Sequence, residues 1–196
     1  MLAERMANSL SDEGIITDEE KEIVQFGLEN LCGNLLGFVM TLTIGFCFHR
    51  IGDALILWLL LFPLRKNAGG FHASTKTRCF LISAFMMILS FAIYTALNCA
   101  YFFYGISVLI AGSIIWIFTP VDNPSKKLDA VEYKIYRKRS RNILVLEGII
   151  FILAFYFKWE TVVRSVAMTF FLVSLSLLMG TGNLLIHNKT DGQVDR

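Results

Sequence analysis

Charge is what this sequence has least of. Only 17% of its 196 residues are Asp, Glu, Lys or Arg, against 55% apolar residues, where a soluble domain carries about 25% charge. That balance argues against a soluble enzyme and, with several long apolar runs, reads as an integral membrane protein. A secretory signal peptide is not expected, because Glu4, Arg5, Asp12 and Glu13 occupy the start and no basic n-region with a short apolar core precedes a cleavage site. The four cysteines, Cys32, Cys47, Cys79 and Cys99, form no CxxC pair and no disulfide framework. Histidine is scarce too. His49 and Cys47 fall at the opposite end of their segments from His72 and Cys79, and His187 stands alone, so no zinc ligand set assembles. There is no G-x-S-x-G, no internal repeat and no low-complexity tract. Neither metal nor cofactor is expected.

What is present is a series of apolar segments. They cover Leu31–Phe48, Ala54–Leu64, Cys79–Leu97, Tyr104–Phe118 (extended by Tyr101–Phe103), Ile143–Phe157 and Val162–Ile186. The second is short enough to be re-entrant, and the fifth is marginal. Thr17 and Glu20 form an S/T-x-x-E capping box, which starts a helix near Asp18. Before it, Leu2, Met6 and Leu10 recur every four residues, the pattern of a short helix lying on a membrane surface over 1–17, with a frayed terminus as the alternative. The expected fold is all-α: a single polytopic membrane domain over 1–196 with about six transmembrane segments.

Basic residues orient that fold. With six spans and the N-terminus inside, Arg50 and Lys158 face outward, Arg164 snorkels near the outer end of the last span, and the other fifteen of the eighteen Lys and Arg lie inside. Both termini, the loop over 65–78 and the basic loop over 119–142 are therefore expected in the cytoplasm. The stretch from Lys126 to Arg141 interleaves cations with Leu128, Val131, Tyr133, Ile135 and Tyr136. It reads as an amphipathic helix on the inner leaflet, setting topology and contacting anionic lipid, or as a docking patch for an acidic peptide. It needs no nucleic-acid partner.

The chemistry sits in the 65–78 loop. His72 follows the Gly69-Gly70 pair, and Cys79 comes seven residues later, where an apolar run begins. A thiolate is the nucleophilic form of cysteine and is favoured by nearby cations and by a helix N-terminus. Lys76, Arg78 and His72 supply cations. A Cys–His pair at a water–lipid boundary performs acyl transfer, with Cys79 as nucleophile and His72 as base. The competing reading is a buried cysteine at a helix start next to a snorkelling basic loop. One straight helix through both residues would separate them by about 10 Å, far beyond the roughly 3 Å that a base needs. The link must therefore bend, or another segment must close the pair. The Gly69 and Gly70 N–H groups are candidates for an oxyanion hole. Glu147, a carboxylate inside the fifth segment near its cytoplasmic end, either orients His72 or pairs with a basic loop residue, the alternative being a snorkelling or salt-bridged carboxylate one turn from the interface.

The run Arg65-Lys66-Asn67-Ala68-Gly69-Gly70-Phe71-His72-Ala73, with Cys79 after it, resembles the accessory gene regulator B (AgrB) family of bacterial membrane cysteine endopeptidases in quorum sensing. Pro120-Val121-Asp122-Asn123-Pro124-Ser125-Lys126-Lys127-Leu128 resembles the loop after that family's fourth hydrophobic segment. The resemblance implies His72 and Cys79 as the catalytic pair, supporting roles for Arg65 and Gly70, and substrate contact or help to activity from Lys126 and Lys127. It implies an AgrD-type precursor peptide as partner, a site on the cytoplasmic side of the cell membrane, and a homodimer. Family members remove the acidic C-terminal tail of the precursor and close the remainder into a thiolactone or lactone ring. No third triad member comes with the motif, though Glu147 and Asn67 are candidates to orient His72. The rival readings are a small transporter or peptide exporter, and a non-enzymatic membrane scaffold.

Overall fold

The structure is a computed structural model that describes residues 2–17, 19–71, 75–96, 101–121 and 129–194. Among these residues the secondary structure is helical: α1 (Leu2–Asp12), α2 (Lys21–Cys47), α3 (Ile51–Ala68), α4 (Lys76–Ala96), α5 (Tyr101–Phe118), α6 (Ala130–Tyr156) and α7 (Glu160–Val194). By packing the chain divides into two compact units, 1–40 and 41–196.

The first unit holds α1 and most of α2. Its connection reproduces half of the expected capping box: the Thr17 N–H donates to the Glu20 carboxylate at 3.0 Å, and so does the Thr17 hydroxyl. These bonds hold the exposed Glu20 carboxyl below its ordinary pKa. The helix proper begins at Lys21, three residues later than the capping box suggests.

The second unit is built around α7, which packs against α3, α4, α5 and α6. Val163, Val166, Ala167, Met168, Val173 and Leu177 of α7 are fully buried. The helices around it are inverted relative to a soluble bundle. Leu59, Phe85, Leu109, Ile117 and Ile152 are all exposed, far more apolar surface than a water-soluble monomer presents. Four helices are long and apolar enough to cross a membrane: Lys21–Cys47, Thr77–Ala96, Tyr101–Phe118 and Glu160–Gly182. α3 and α6 miss that criterion through charge rather than length. α3 carries Asp53, Arg65 and Lys66, and the first half of the 27-residue α6 is basic.

α3 runs alongside α7 for most of a membrane's thickness. At its start, Asp53 pairs with Arg164. At its end, the chain beyond Ala68 meets Ser176 and Gly180. From Arg164 to Gly180 at about 1.5 Å per residue is about 24 Å. Over that length α3 is one continuous helix and does not turn back.

The turns after α2 and α6 lie at one end of this unit, where Gly52 approaches Thr161. Each turn is closed by a non-glycine residue in the left-handed region, His49 at φ 55° and Lys158 at φ 59°. The Gly69–Phe71 loop and Val121 lie at the other end. The two loops that carry few cations are thus together, away from the basic ones.

Two expected loops are shorter than the sequence suggests. α3 continues through Arg65 to Ala68 and α4 opens at Lys76, which trims the 65–78 loop to 69–75. The basic stretch is no separate surface helix. From Ala130 onward it is the first half of α6, started by a full capping box between Asp129 and Glu132.

Candidate active site at the end of α3

Local sequence explains where α3 stops. Gly69 (φ 72°) and Gly70 (φ 125°) take left-handed conformations that side-chain-bearing residues resist. The turned chain is held from three sides. The Arg65 guanidinium, one helical turn back, donates to the Gly69 carbonyl and to the Phe71 carbonyl at 2.9 Å, a planar fork spanning two acceptors. From α7, the Ser176 carbonyl accepts the Phe71 N–H at 3.0 Å, with the Ser176 hydroxyl beside it at 3.3 Å. From the segment after α5, Val121 pairs with Gly69 in a parallel bridge and donates its N–H to Ala68 at 3.0 Å.

There is no room for side chains in this clasp. A Cβ on Gly70 would lie 2.0 Å from Arg65 Nη1 and 2.8 Å from Ser176 Oγ; one on Gly69 would lie 2.2 Å from the Val121 carbonyl oxygen. Gly180 of α7 lets the loop approach, since a Cβ there would sit 2.8 Å from the Gly70 carbonyl carbon.

Cys79 is half-buried on the first turn of α4. Its N–H donates to the Thr75 carbonyl at 3.0 Å, and Thr75 Oγ1 caps the helix by accepting from the Arg78 N–H at 3.3 Å. The sulfur therefore sits near the positive end of a helix dipole. It is also within electrostatic reach of the Arg65 guanidinium. Arg65 thus relates the loop to the cysteine: it grips the two carbonyls that frame Gly70 and interacts electrostatically with Cys79.

Several expected site residues fall elsewhere. His72, the residue after Phe71, lies outside the described residues, as do Lys126 and Lys127. The Gly69–Gly70 oxyanion hole loses one donor, because the Gly69 N–H is turned to the Arg65 carbonyl at 3.3 Å. Asn67 donates its side-chain amide to the Pro63 carbonyl at 2.8 Å, back along its own helix. Glu147 neither snorkels nor forms a salt bridge: it is 2% exposed, and neither carboxylate oxygen has a partner among the described residues. Arg164 does not snorkel either. Its Nε stands 2.7 Å from Asp53 Oδ2, with both side chains buried, because an intramembrane cation is satisfied more cheaply by a facing carboxylate than by reaching for water. Sequence reasoning passed over Asp53, Ser176 and Gly180. Asp53 had a signal, a lone carboxylate at the same end of its segment as Arg164. Ser176 and Gly180 had none beyond being small residues in an apolar helix.

Among the described residues no cluster of His, Cys, Asp or Glu is arranged to hold a metal. The arrangement offers a capped helix start, a thiol, a guanidinium and a rigid glycine turn, which together suit nucleophilic chemistry on a carbonyl.

Comparison with known proteins agrees with the motif. A family model described as accessory gene regulator B matches residues 3–177. An AgrB-like protein 2 from Clostridium perfringens strain 13 is 28% identical over 161 residues, covering 77% of this chain and 73% of the relative. An AgrB-like protein from Clostridium perfringens strain SM101 is 28% identical over 158 residues, with the same coverage. No solved structure gives a significant match.

Proposed function

The chain belongs to the accessory gene regulator B family, and from that premise we propose that it is a multi-pass membrane cysteine endopeptidase acting on a small AgrD-type precursor peptide at the cytoplasmic face. The observation that carries this reading is the position of Cys79. It stands on the capped first turn of α4, in reach of the Arg65 guanidinium, beside a loop that leads directly into His72.

In this mechanism His72 accepts the Cys79 proton and the thiolate attacks a carbonyl of the precursor. The C–N bond breaks, and the amine of the C-terminal tail leaves with the proton from His72. An acyl thioester on Cys79 remains. A thiol or hydroxyl of the same peptide then attacks it, passes its proton through His72 and returns the Cys79 thiol, closing a thiolactone or lactone ring. The structure supports one geometric requirement. Phe71 is tied to Ser176 while α4 starts only at Lys76, so residues 71 and 79 do not ride on one rigid helix, whose rise would keep base and nucleophile apart. Six spans with both termini inside put the basic half of α6, together with Lys126 and Lys127, on the side of the acidic tail.

The test is precursor cleavage in membranes, read by mass spectrometry, with wild type, Cys79→Ala, Cys79→Ser and His72→Ala. Tail release falls on the order of a thousandfold or more in each variant, and wild type yields an acyl adduct on Cys79. Undiminished release by Cys79→Ala removes the endopeptidase reading and favours a transporter or scaffold.

A further inference from the structure

A groove of about 670 Å³ lies between α5 and α6, away from the cysteine site. Its floor is where side chains are missing: Gly105 and Gly112 on α5, and Gly148 on α6. Leu109, Ile117 and Ile152 line it and are exposed, so it opens sideways, toward lipid in a membrane. Trp116 closes one end. There the Arg141 guanidinium stacks over the indole at 4.4 Å and donates to the Trp116 carbonyl at 3.3 Å. Arg137 stands one turn earlier on α6. The run 137, 141, 144, 148, 152 keeps helical spacing and continues the groove-lining stripe. The Nε of Arg137 and the Nε of Arg141 are both buried with no hydrogen-bond partner among the described residues. The Arg141 guanidinium thus places a cation beside the Trp116 end of an apolar slot, an arrangement that suits an anion attached to a hydrocarbon.

We propose that this groove holds one acyl chain of an anionic phospholipid, whose phosphate pairs with the guanidinium groups of Arg137 and Arg141. The length of the groove suits a lipid chain. From Gly105 to Trp116 the groove runs about 17 Å at 1.5 Å per residue, about one leaflet of a 30 Å hydrocarbon core. A hydrocarbon chain gains nothing from leaving water here, because lipid is already apolar. Groove shape therefore sets occupancy, and the arginines set headgroup preference.

The experiment uses the full chain purified in detergent, titrated with phosphatidylglycerol or phosphatidylcholine and read by native mass spectrometry. One phosphatidylglycerol is retained per chain, in preference to phosphatidylcholine. Arg137→Gln and Arg141→Gln each reduce that preference about fivefold and leave phosphatidylcholine binding unchanged. Gly148→Leu and, separately, Gly105→Leu fill open space, since nothing lies within 4 Å of a Cβ at either position; both remove the adduct without lowering thermal stability. Equal retention of the two lipids by wild type, or an undiminished adduct in both leucine variants, overturns the proposal. A leucine variant that abolishes a dimer rather than a lipid adduct assigns the groove to a second copy of the chain and overturns it as well. Cleavage plays no part in the readout, so the result stands apart from the assignment of Cys79.

Discussion

Arg65 does two things that a lysine cannot do at once. Its fork reaches the Gly69 and Phe71 carbonyls, and its charge stands near Cys79. Arg65→Lys keeps the charge but loses at least one charge-assisted hydrogen bond, about 1.5–3 kcal/mol. Initial rates of tail release are expected to drop about tenfold, with membrane insertion intact. Gly70→Ala is the harsher change, because its methyl group falls on Arg65 Nη1 and the backbone is left-handed. It is expected to reduce release further than Arg65→Lys. Gly182→Ala, where nothing lies within 4 Å of a Cβ, leaves the rate near wild type in the same assay. The motif was legible at this scale as a Cys–His pair beside two glycines. What those glycines are for was not. They read as possible oxyanion donors, and in the fold their chief role is to let a turn pass between a guanidinium, Val121 and α7.

Helix pairs hold the site in place. α3 is fastened to α7 at both ends, by the Asp53–Arg164 pair and by the Ser176–Phe71 bond. Ser165 Oγ adds a bond to the Asp53 carbonyl at 3.1 Å. Removing one member of a buried ion pair leaves the other uncompensated, at a cost of about 3–5 kcal/mol. Asp53→Leu is expected to lower the thermal midpoint in detergent sharply, and the double change Asp53→Leu with Arg164→Met to recover most of the loss. Failure of the double variant to recover would make the charges, rather than the packing of α3 on α7, the source of stability. α6 was misjudged as an element. Its cations and interleaved aromatics suggested a helix lying flat on the inner leaflet, but the Asp129–Glu132 capping box starts a helix that continues without a break into the apolar segment. That box has the same spacing as the one between Thr17 and Glu20, so the signal was there to be read.

Across the whole molecule, the loops that carry few cations gather at one end of the second unit. The clasp, and Cys79 with it, lies at the other. That separation, together with the positive-inside bias, is what supports the proposed six-span arrangement with a cytoplasmic site. Arg50→Cys and Lys158→Cys are expected to react with an impermeant maleimide in intact cells, and Lys66→Cys and Lys138→Cys only after permeabilisation. Labelling of Lys66→Cys in intact cells would put the site outside and sink the assignment. α7 is the hub of this unit, and no local property marks it as such. Its hydropathy resembles that of α4 and α5, yet 72% of its membrane-length window is buried against 22% for each of theirs.

Hydropathy, charge placement and the run around Cys79 are local properties, and each was settled by neighbours in the chain. They were enough for an all-helical membrane protein, the spans with the strongest apolar runs, and the accessory gene regulator B family. The structure decided the things that join distant parts of the chain. Phe71 meets a serine 105 residues away, and Asp53 is bonded by a serine 112 residues away. Periodicity has no reach over such separations. Apolar side chains alike in the sequence part ways in the fold, some facing lipid and some facing α7, because either environment satisfies them equally and only packing chooses between them.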